Sequence, residues 1–359
     1  MPPNREPLAR SGALDDLEWR DLTPVIGREF PKAQLKDIMT SDAMLRDLAI
    51  NVSERNVVFF RNQTINASDM KIIAQKLGEL TGKPPTSKVS ECACHQLLIF
   101  NPSCTKREQL HRHTLSNSKR GDETDEGTVD DEVTVISNKT GAEFFHEEPD
   151  RLASEGWHSD ISTERIPSDY AIFKMRKLPN DSGAGGDTLW ASGYEAFDRL
   201  SKPLKRLAEG LTATHFDDVL CDIGRKTPEK MLSENRGSPE NHGLDFEVSH
   251  PVVRTNPVTN WKSLYGACGQ IAPGKIDGVP SRESDMLKQF FLDLIAMNHD
   301  LQVRWRWSEN DVAIWDNDYC GLRLAQRVAS VGEKPYYDPS SVSRREHLRR
   351  QSEAEKTKV

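Results

Sequence analysis

Gly156-Trp157-His158-Ser159-Asp160-Ile161-Ser162 sets a histidine and a carboxylate two positions apart. In an extended segment alternate side chains leave on one face. His158 and Asp160 would then present two of the three ligands of a 2-His-1-carboxylate iron site. Read this way, the stretch is the metal-bearing edge of a sheet. The pattern is short, and a second copy, His215-Phe216-Asp217, occurs among the ten histidines. Spacing alone does not separate the two pairs, so their surroundings must.

Those surroundings are rich in strands. Upstream, residues 132–137 read as a strand leading through a polar loop to the His-x-Asp segment. Downstream, the apolar run 169–175 is bounded by prolines, and Gly185-Gly186 forms a tight turn into a strand at 187–191. Apolar positions Phe197, Leu200, Leu204, Leu207 and Leu211 predict one helix over 196–211, ended with the help of Gly210. His215-x-Asp217 lies just beyond it and, followed by Asp218, reads as a polar connection. Residues 222–243 are polar and read as an inserted loop. The runs 250–254 and 261–265 predict a hairpin, 284–297 a helix, and 302–307 and 311–315 two more strands. At the other end, 43–54 has helical spacing, 56–61 reads as a buried strand, and Asn66 to Asp69 offers caps for a second helix. Strands with local helices predict an antiparallel sandwich or barrel, mostly β, and not a doubly wound sheet.

Composition bounds the rest. With 359 residues, 36% hydrophobic and 29% charged, and a mean hydropathy of -0.65, the chain suits a soluble globular protein with polar insertions. No apolar run approaches the roughly 18 to 20 residues that span a bilayer, and the first residues lack the apolar stretch of a signal peptide. The expectation is a cytoplasmic protein with no membrane partner. A net charge of -8 argues against non-specific nucleic-acid binding. Six cysteines are too few for a disulfide scaffold. Cys92, Cys94, His95 and Cys104 crowd together, but Cys-x-Cys lacks the two-residue gap of zinc knuckles and no second pair follows. Reduced surface thiols are expected there. The reading divides the chain into a flexible arm, 1–20; one domain, 21–340, with polar insertions near 84–131 and 222–243; and a charged tail, 341–359.

In order, the segments GWHSDIS, GAGGDTLWASGYEAFDRLS, HPVVRTNP, WRWSENDVAIWDN and VGEKPYYDP resemble the TauD/TfdA-like branch of the Fe(II)- and 2-oxoglutarate-dependent dioxygenases. The resemblance runs from about residue 22 to 345. It implies a double-stranded β-helix, or jelly-roll, core with flanking helices and with iron at its open end. It also implies a reaction in which O2 and 2-oxoglutarate are consumed and a C–H bond of a small molecule is hydroxylated. By the same resemblance His158 and Asp160 match metal ligands. Thr188 matches a hydroxyl that helps bind 2-oxoglutarate, and Arg323 and Arg327 match the pair of arginines that grip it, bidentate binding of a carboxylate being suited to a planar guanidinium. His113, in Leu110-His111-Arg112-His113, faces the primary substrate by analogy. The family's small anions suggest a sulfonate or carboxylate substrate, and a homo-oligomer is allowed. Without the resemblance, Thr188 is an ordinary strand threonine, Arg323 and Arg327 a solvated face, and Trp190, Trp315, Tyr336 and Tyr337 core residues.

Two departures accompany the matches. Family members follow WDN with an arginine and, four residues later, the second histidine ligand. Here Trp315-Asp316-Asn317 runs directly into Asp318-Tyr319, as though about nine residues had been removed, and the ungapped ligand position is Leu322. No histidine lies between His299 and His347. Near 89–109 a segment intervenes between the Gly82-Lys83-Pro84 loop and Leu110-His111, and it carries all the clustered cysteines. A translated intron and a trimmed exon would produce both lesions. Two expectations follow: a dioxygenase with a depleted iron site, or a catalytically inactive jelly-roll protein.

Overall fold

The computed structural model describes residues 5–84, 127, 130–136, 153–178, 187–265, 274–316 and 325–357. The cysteine-rich segment at 92–104, His113, Arg323 and the junction after Asp316 lie outside these residues.

A seven-stranded sheet forms one wall. It runs in the order β1 (Arg20–Asp21), β2 (Arg28–Phe30), β3 (Val57–Phe60), β13 (Val312–Asp316), β5 (Ser168–Met175), β14 (Ala325–Val331), β4 (Thr134–Ile136), antiparallel throughout except for β2 with β3. The opposite wall is built from β11 (Lys275–Ile276), β7 (Thr212–Phe216) and β8 (Glu247–Pro251), and from the pairs β9 (Val253–Thr255) with β10 (Lys262–Leu264) and β6 (Thr188–Ala191) with β12 (Gln302–Trp305). This is the jelly roll that the resemblance implies.

The central strands read as unbroken apolar runs because both faces of the sheet are covered. One set of alternate residues, Val58, Phe60, Tyr170, Ile172, Val312, Ile314 and Val328, packs with apolar residues of the short helix α1 (Leu35–Ile38) and of helices α2 (Asp42–Arg55) and α3 (Ala67–Leu80). The other set, Val57, Phe59, Ala171, Phe173, Ala313 and Trp315, faces inward with Trp190, Trp305 and Trp307. Phe59 stacks on Trp305 at 4.1 Å and meets Trp190 edge-on at 5.2 Å, so aromatic rings fill the inner face of the main sheet. The start of α3 is fixed reciprocally: the Asp69 amide donates to Asn66 Oδ1 and the Asn66 amide to Asp69 Oδ2, each at 2.9 Å.

Three local expectations are corrected. The helix expected over 196–211 is two, α4 (Gly193–Arg199) and α5 (Lys202–Glu209), because Ser201 caps the second and Pro203 lies in its first turn, where its missing N–H does no harm. The polar stretch from 222 contains the last residues of α6 (Asp218–Lys226) and then folds back against the core, instead of standing off as a loop. The N-terminal residues are tied down: the Ser11 and Ala13 amides donate to the Asp47 carboxylate, and the Leu8 amide to the Val258 carbonyl.

Two further helices are α7 (Ser281–Ala296), over the second wall, and α8 (Arg344–Thr357), which contacts α4. Among the described residues no helix is long and apolar enough to cross a membrane.

Candidate active site

Trp157 is buried in the apolar cluster that includes Val253, Leu264 and Phe291, which anchors one end of the His-x-Asp segment. Beyond it, the His158 ring sits 2.8 Å, through Nδ1, from the Gly156 carbonyl. A carbonyl only accepts, so Nδ1 carries a proton and Nε2 is the nitrogen left for a second partner. That nitrogen lies 3.5 Å from Asp160 Oδ1. A ring nitrogen whose partner N–H is held by the backbone is the arrangement metal-ligating histidines use.

Asp160 is buried and paired with Arg327, whose Nη1 lies 2.5 Å from the same Oδ1. Burial alone would raise the Asp160 pKa, but the Arg327 charge and the His158 contact outweigh it and hold the carboxyl far below its ordinary range. Burial would likewise lower His158, yet its hydrogen bond and charge interaction with Asp160 leave it raised. Asp160 is thus an ionised carboxylate in a dry site, neutralised by a guanidinium and adjacent to an imidazole.

Register explains why Arg327 is inside. It stands opposite Phe173 on β5, and residues directly across a ladder share a face, so Arg327 points into the interior while its neighbour Val328, opposite Ile172, points to the helices. A solvated arginine face is therefore excluded for this residue. Arg323, four positions earlier, is outside the described residues, as is His113.

Thr188 arrives from the opposite wall. It begins β6, faces Trp305 across the pair with β12, and is buried. Its Oγ1 accepts a hydrogen bond from Trp307 Nε1 at 2.8 Å. With one lone pair so engaged, the hydroxyl proton is left to donate to an anion. Trp307 was legible in the sequence only as an alternating aromatic; its role of orienting Thr188 depends on a pairing 119 positions apart.

The second His-x-Asp pair is neither a metal edge nor a polar connection. His215 lies in β7, fully buried, stacked on Tyr265 at 5.3 Å and edge-on to His250 at 5.1 Å. Asp217 caps α6 by accepting from the Leu220 amide. Burial, and secondarily His250, push the His215 pKa well below its ordinary value. Cys221, also buried, is a core thiol.

Two atoms fit a divalent metal: the ionised Asp160 carboxylate and His158 Nε2, which a metal would bind in place of the proton facing Asp160. Among the described residues no group of three or more His, Cys, Asp or Glu side chains could hold a metal ion. His158 and Asp160 are thus two candidate ligands, where a facial site takes three from the protein.

The model of the "Taurine catabolism dioxygenase TauD, TfdA family" matches residues 18–320, ending inside the junction where the motif order departs. The chain is 42% identical over 368 residues to the "Alpha-ketoglutarate-dependent dioxygenase btcD" of Neocamarosporium betae, covering 95% of this chain and 98% of that one. It is 30% identical over 305 residues to the "Alpha-ketoglutarate-dependent sulfonate dioxygenase" of Saccharomyces cerevisiae, covering 85% and 61%. A solved taurine dioxygenase from Burkholderia xenovorans shares the fold, with a TM-score of 0.59 at 21% identity over 90% of this chain and 92% of that one. With its jelly roll, its His158–Asp160 edge and these relatives, the chain belongs to the TauD/TfdA family of dioxygenases, enzymes that use Fe(II) and 2-oxoglutarate.

Proposed function

We propose that this protein hydroxylates a small anionic molecule, of the sulfonate or carboxylate type, in the cytoplasm. The observation that carries the reading is the convergence of the half-buried His158 Nε2, the buried Asp160 Oδ1 and the inward-facing Arg327. Bound at His158 and Asp160, Fe(II) with 2-oxoglutarate would supply the O2-dependent oxidation of a C–H bond. The chain's own residues prepare that chemistry. The Gly156 carbonyl fixes the His158 tautomer, and Arg327 keeps Asp160 ionised. The Thr188 hydroxyl, turned by Trp307, offers a donor to 2-oxoglutarate, with Arg327 and Arg323 as its guanidinium partners. His113 is assigned to the primary substrate. That the yeast relative is named a sulfonate dioxygenase supports an anionic substrate.

A second reading, a jelly-roll protein without catalysis, is favoured by one observation: the described residues contain only two of the three ligands. Anaerobic addition of Fe(II) and 2-oxoglutarate decides between them. The first reading expects the weak visible charge-transfer band of the iron chelate, followed on aeration by succinate. No band and no succinate would leave the second.

A further inference from the structure

The turn that follows the two donor residues is strained. Ile161 has φ of +49°, in the left-handed region, where a β-branched side chain crowds its own backbone. Such a conformation persists only where its surroundings over-determine it. Here the surroundings come from one stretch, residues 232–250, that the chain folds back behind the edge.

Glu164 meets Arg236 through both prongs, Nε to Oε1 at 2.5 Å and Nη2 to Oε2 at 3.0 Å, with Arg236 1% exposed. The remaining Arg236 nitrogen, Nη1, donates to the carbonyls of Leu232 and Gly243 at 2.7 and 2.9 Å, so the guanidinium is fixed to its own segment as well. Asn241 reads both sides of one residue: its Oδ1 accepts from the Ile166 amide at 2.9 Å and its Nδ2 donates to the Ile166 carbonyl at 2.7 Å. His250 Nε2 lies 3.0 and 3.1 Å from the carbonyls of Ser162 and Glu164, so that nitrogen carries the proton and donates to both. Bonds thus fall on residues 162, 164 and 166, immediately beyond the strained turn. A bidentate ion pair and a two-way amide define orientation as well as distance.

We infer that Arg236, Asn241 and His250 form a clamp that positions the metal edge. Their hydrogen bonds to the edge fall on residues 162, 164 and 166, beyond the two donors. By pinning 162–166 they hold Ile161 at positive φ, and with it the angle at which Asp160 Oδ1 meets His158 Nε2. This deepens the reading of the edge as a metal site, and it rests on that reading only for its metal arm. Glu164, Arg236, Asn241 and His250 are positioning residues.

The test uses Glu164→Gln and Arg236→Lys, which keep size or charge but lose the fork, each alone and combined with Ile161→Gly, since glycine is at ease at +49°. Phe59→Leu, in the aromatic cluster of the main sheet and not among the clamp residues, serves as a control for general destabilisation. Two readouts are taken on the full chain: hydrogen exchange of the peptide spanning 157–166, and the affinity and visible spectrum of bound Co(II) alone. The clamp variants should speed exchange of 157–166 about tenfold relative to the strands of the main sheet, and weaken Co(II) about 10- to 100-fold. Adding Ile161→Gly should return much of the Co(II) affinity, because the turn no longer needs restraint. The clamp is overturned if exchange in 157–166 is unchanged or rises equally across the main sheet, or if Phe59→Leu weakens Co(II) as much. Should the wild-type chain bind no Co(II), the metal reading fails, while the exchange measurement still decides the clamp.

Discussion

Thr188→Val separates two things that one hydroxyl does. The substitution keeps volume and β-branching, and removes both the acceptor for Trp307 Nε1 and the donor assigned to 2-oxoglutarate. A hydrogen bond to a charged group contributes about 1.5 to 3 kcal/mol, so losing the donor should weaken 2-oxoglutarate about 10- to 100-fold. Losing the acceptor strands a buried indole N–H at a cost of about 1 to 3 kcal/mol, a fall in Tm of about 1 to 4 °C in a chain of this size. Thr188→Ser retains both functions and should stay within about threefold of the wild type in affinity. Calorimetric titration of 2-oxoglutarate in the presence of Mn(II), alongside thermal unfolding, measures both effects. A folded valine variant that loses Tm but binds 2-oxoglutarate like the wild type would reduce Thr188 to an anchor for Trp307. One that loses affinity with no change in Tm would mean the indole finds another acceptor.

Three further outcomes are expected. His158→Ala and Asp160→Ala should each abolish metal binding and any turnover, whereas His215→Ala should lower stability through its lost stacking on Tyr265 and leave metal affinity in place; equal losses of affinity in all three would mean the wrong His-x-Asp pair was chosen. His250 is held neutral, pushed down to about 4 chiefly by burial, while its unfolded counterpart titrates near 6.5. The unfolded chain therefore binds the extra proton. The stability from this group is complete above 6.5 and declines as pH falls toward 4, by about 2 kcal/mol between pH 7 and 5. Urea unfolding of the wild type and His250→Gln should show the gap between them shrinking by that amount, and a gap independent of pH would contradict it. Gly332→Ala should cost about 1 to 3 kcal/mol, because the added Cβ would come within 2.8 Å of Asp169 Cβ and 3.2 Å of its backbone nitrogen, neither free to move; denaturant titration showing no loss would refute the contact.

Most of the wall strands were legible because they carry apolar runs, as β5 does at Tyr170–Phe173 and β13 at Val312–Trp315, where both faces are covered. Periodicity misled where punctuation mattered more: the leucines from 200 to 211 keep helical spacing, yet Ser201 and Pro203 start a new helix in their midst. The partners of the site were the hardest to read. Arg327 is a surface residue by every compositional rule, and only its pairing with Phe173 turns it inward. Residues 222–243 look like a solvated loop because they are polar, but Arg236 and Asn241 are buried against Glu164 and Ile166, 72 and 75 positions away. Local pattern carries no information about such pairs. The candidate donors His158 and Asp160, two positions apart, could be found; what packs around them could not.

The same separations set a timetable. Chains are synthesised at about 5 to 20 residues per second, so Arg236 follows Glu164, 72 residues earlier, by about 4 to 14 seconds. Asp160 waits about 8 to 33 seconds for Arg327, 167 residues further on. The surroundings of His158 and Asp160 can therefore be completed only in stages, the Glu164–Arg236 fork before the Asp160–Arg327 ion pair, and a folding intermediate that has the first without the second would carry an uncompensated carboxylate.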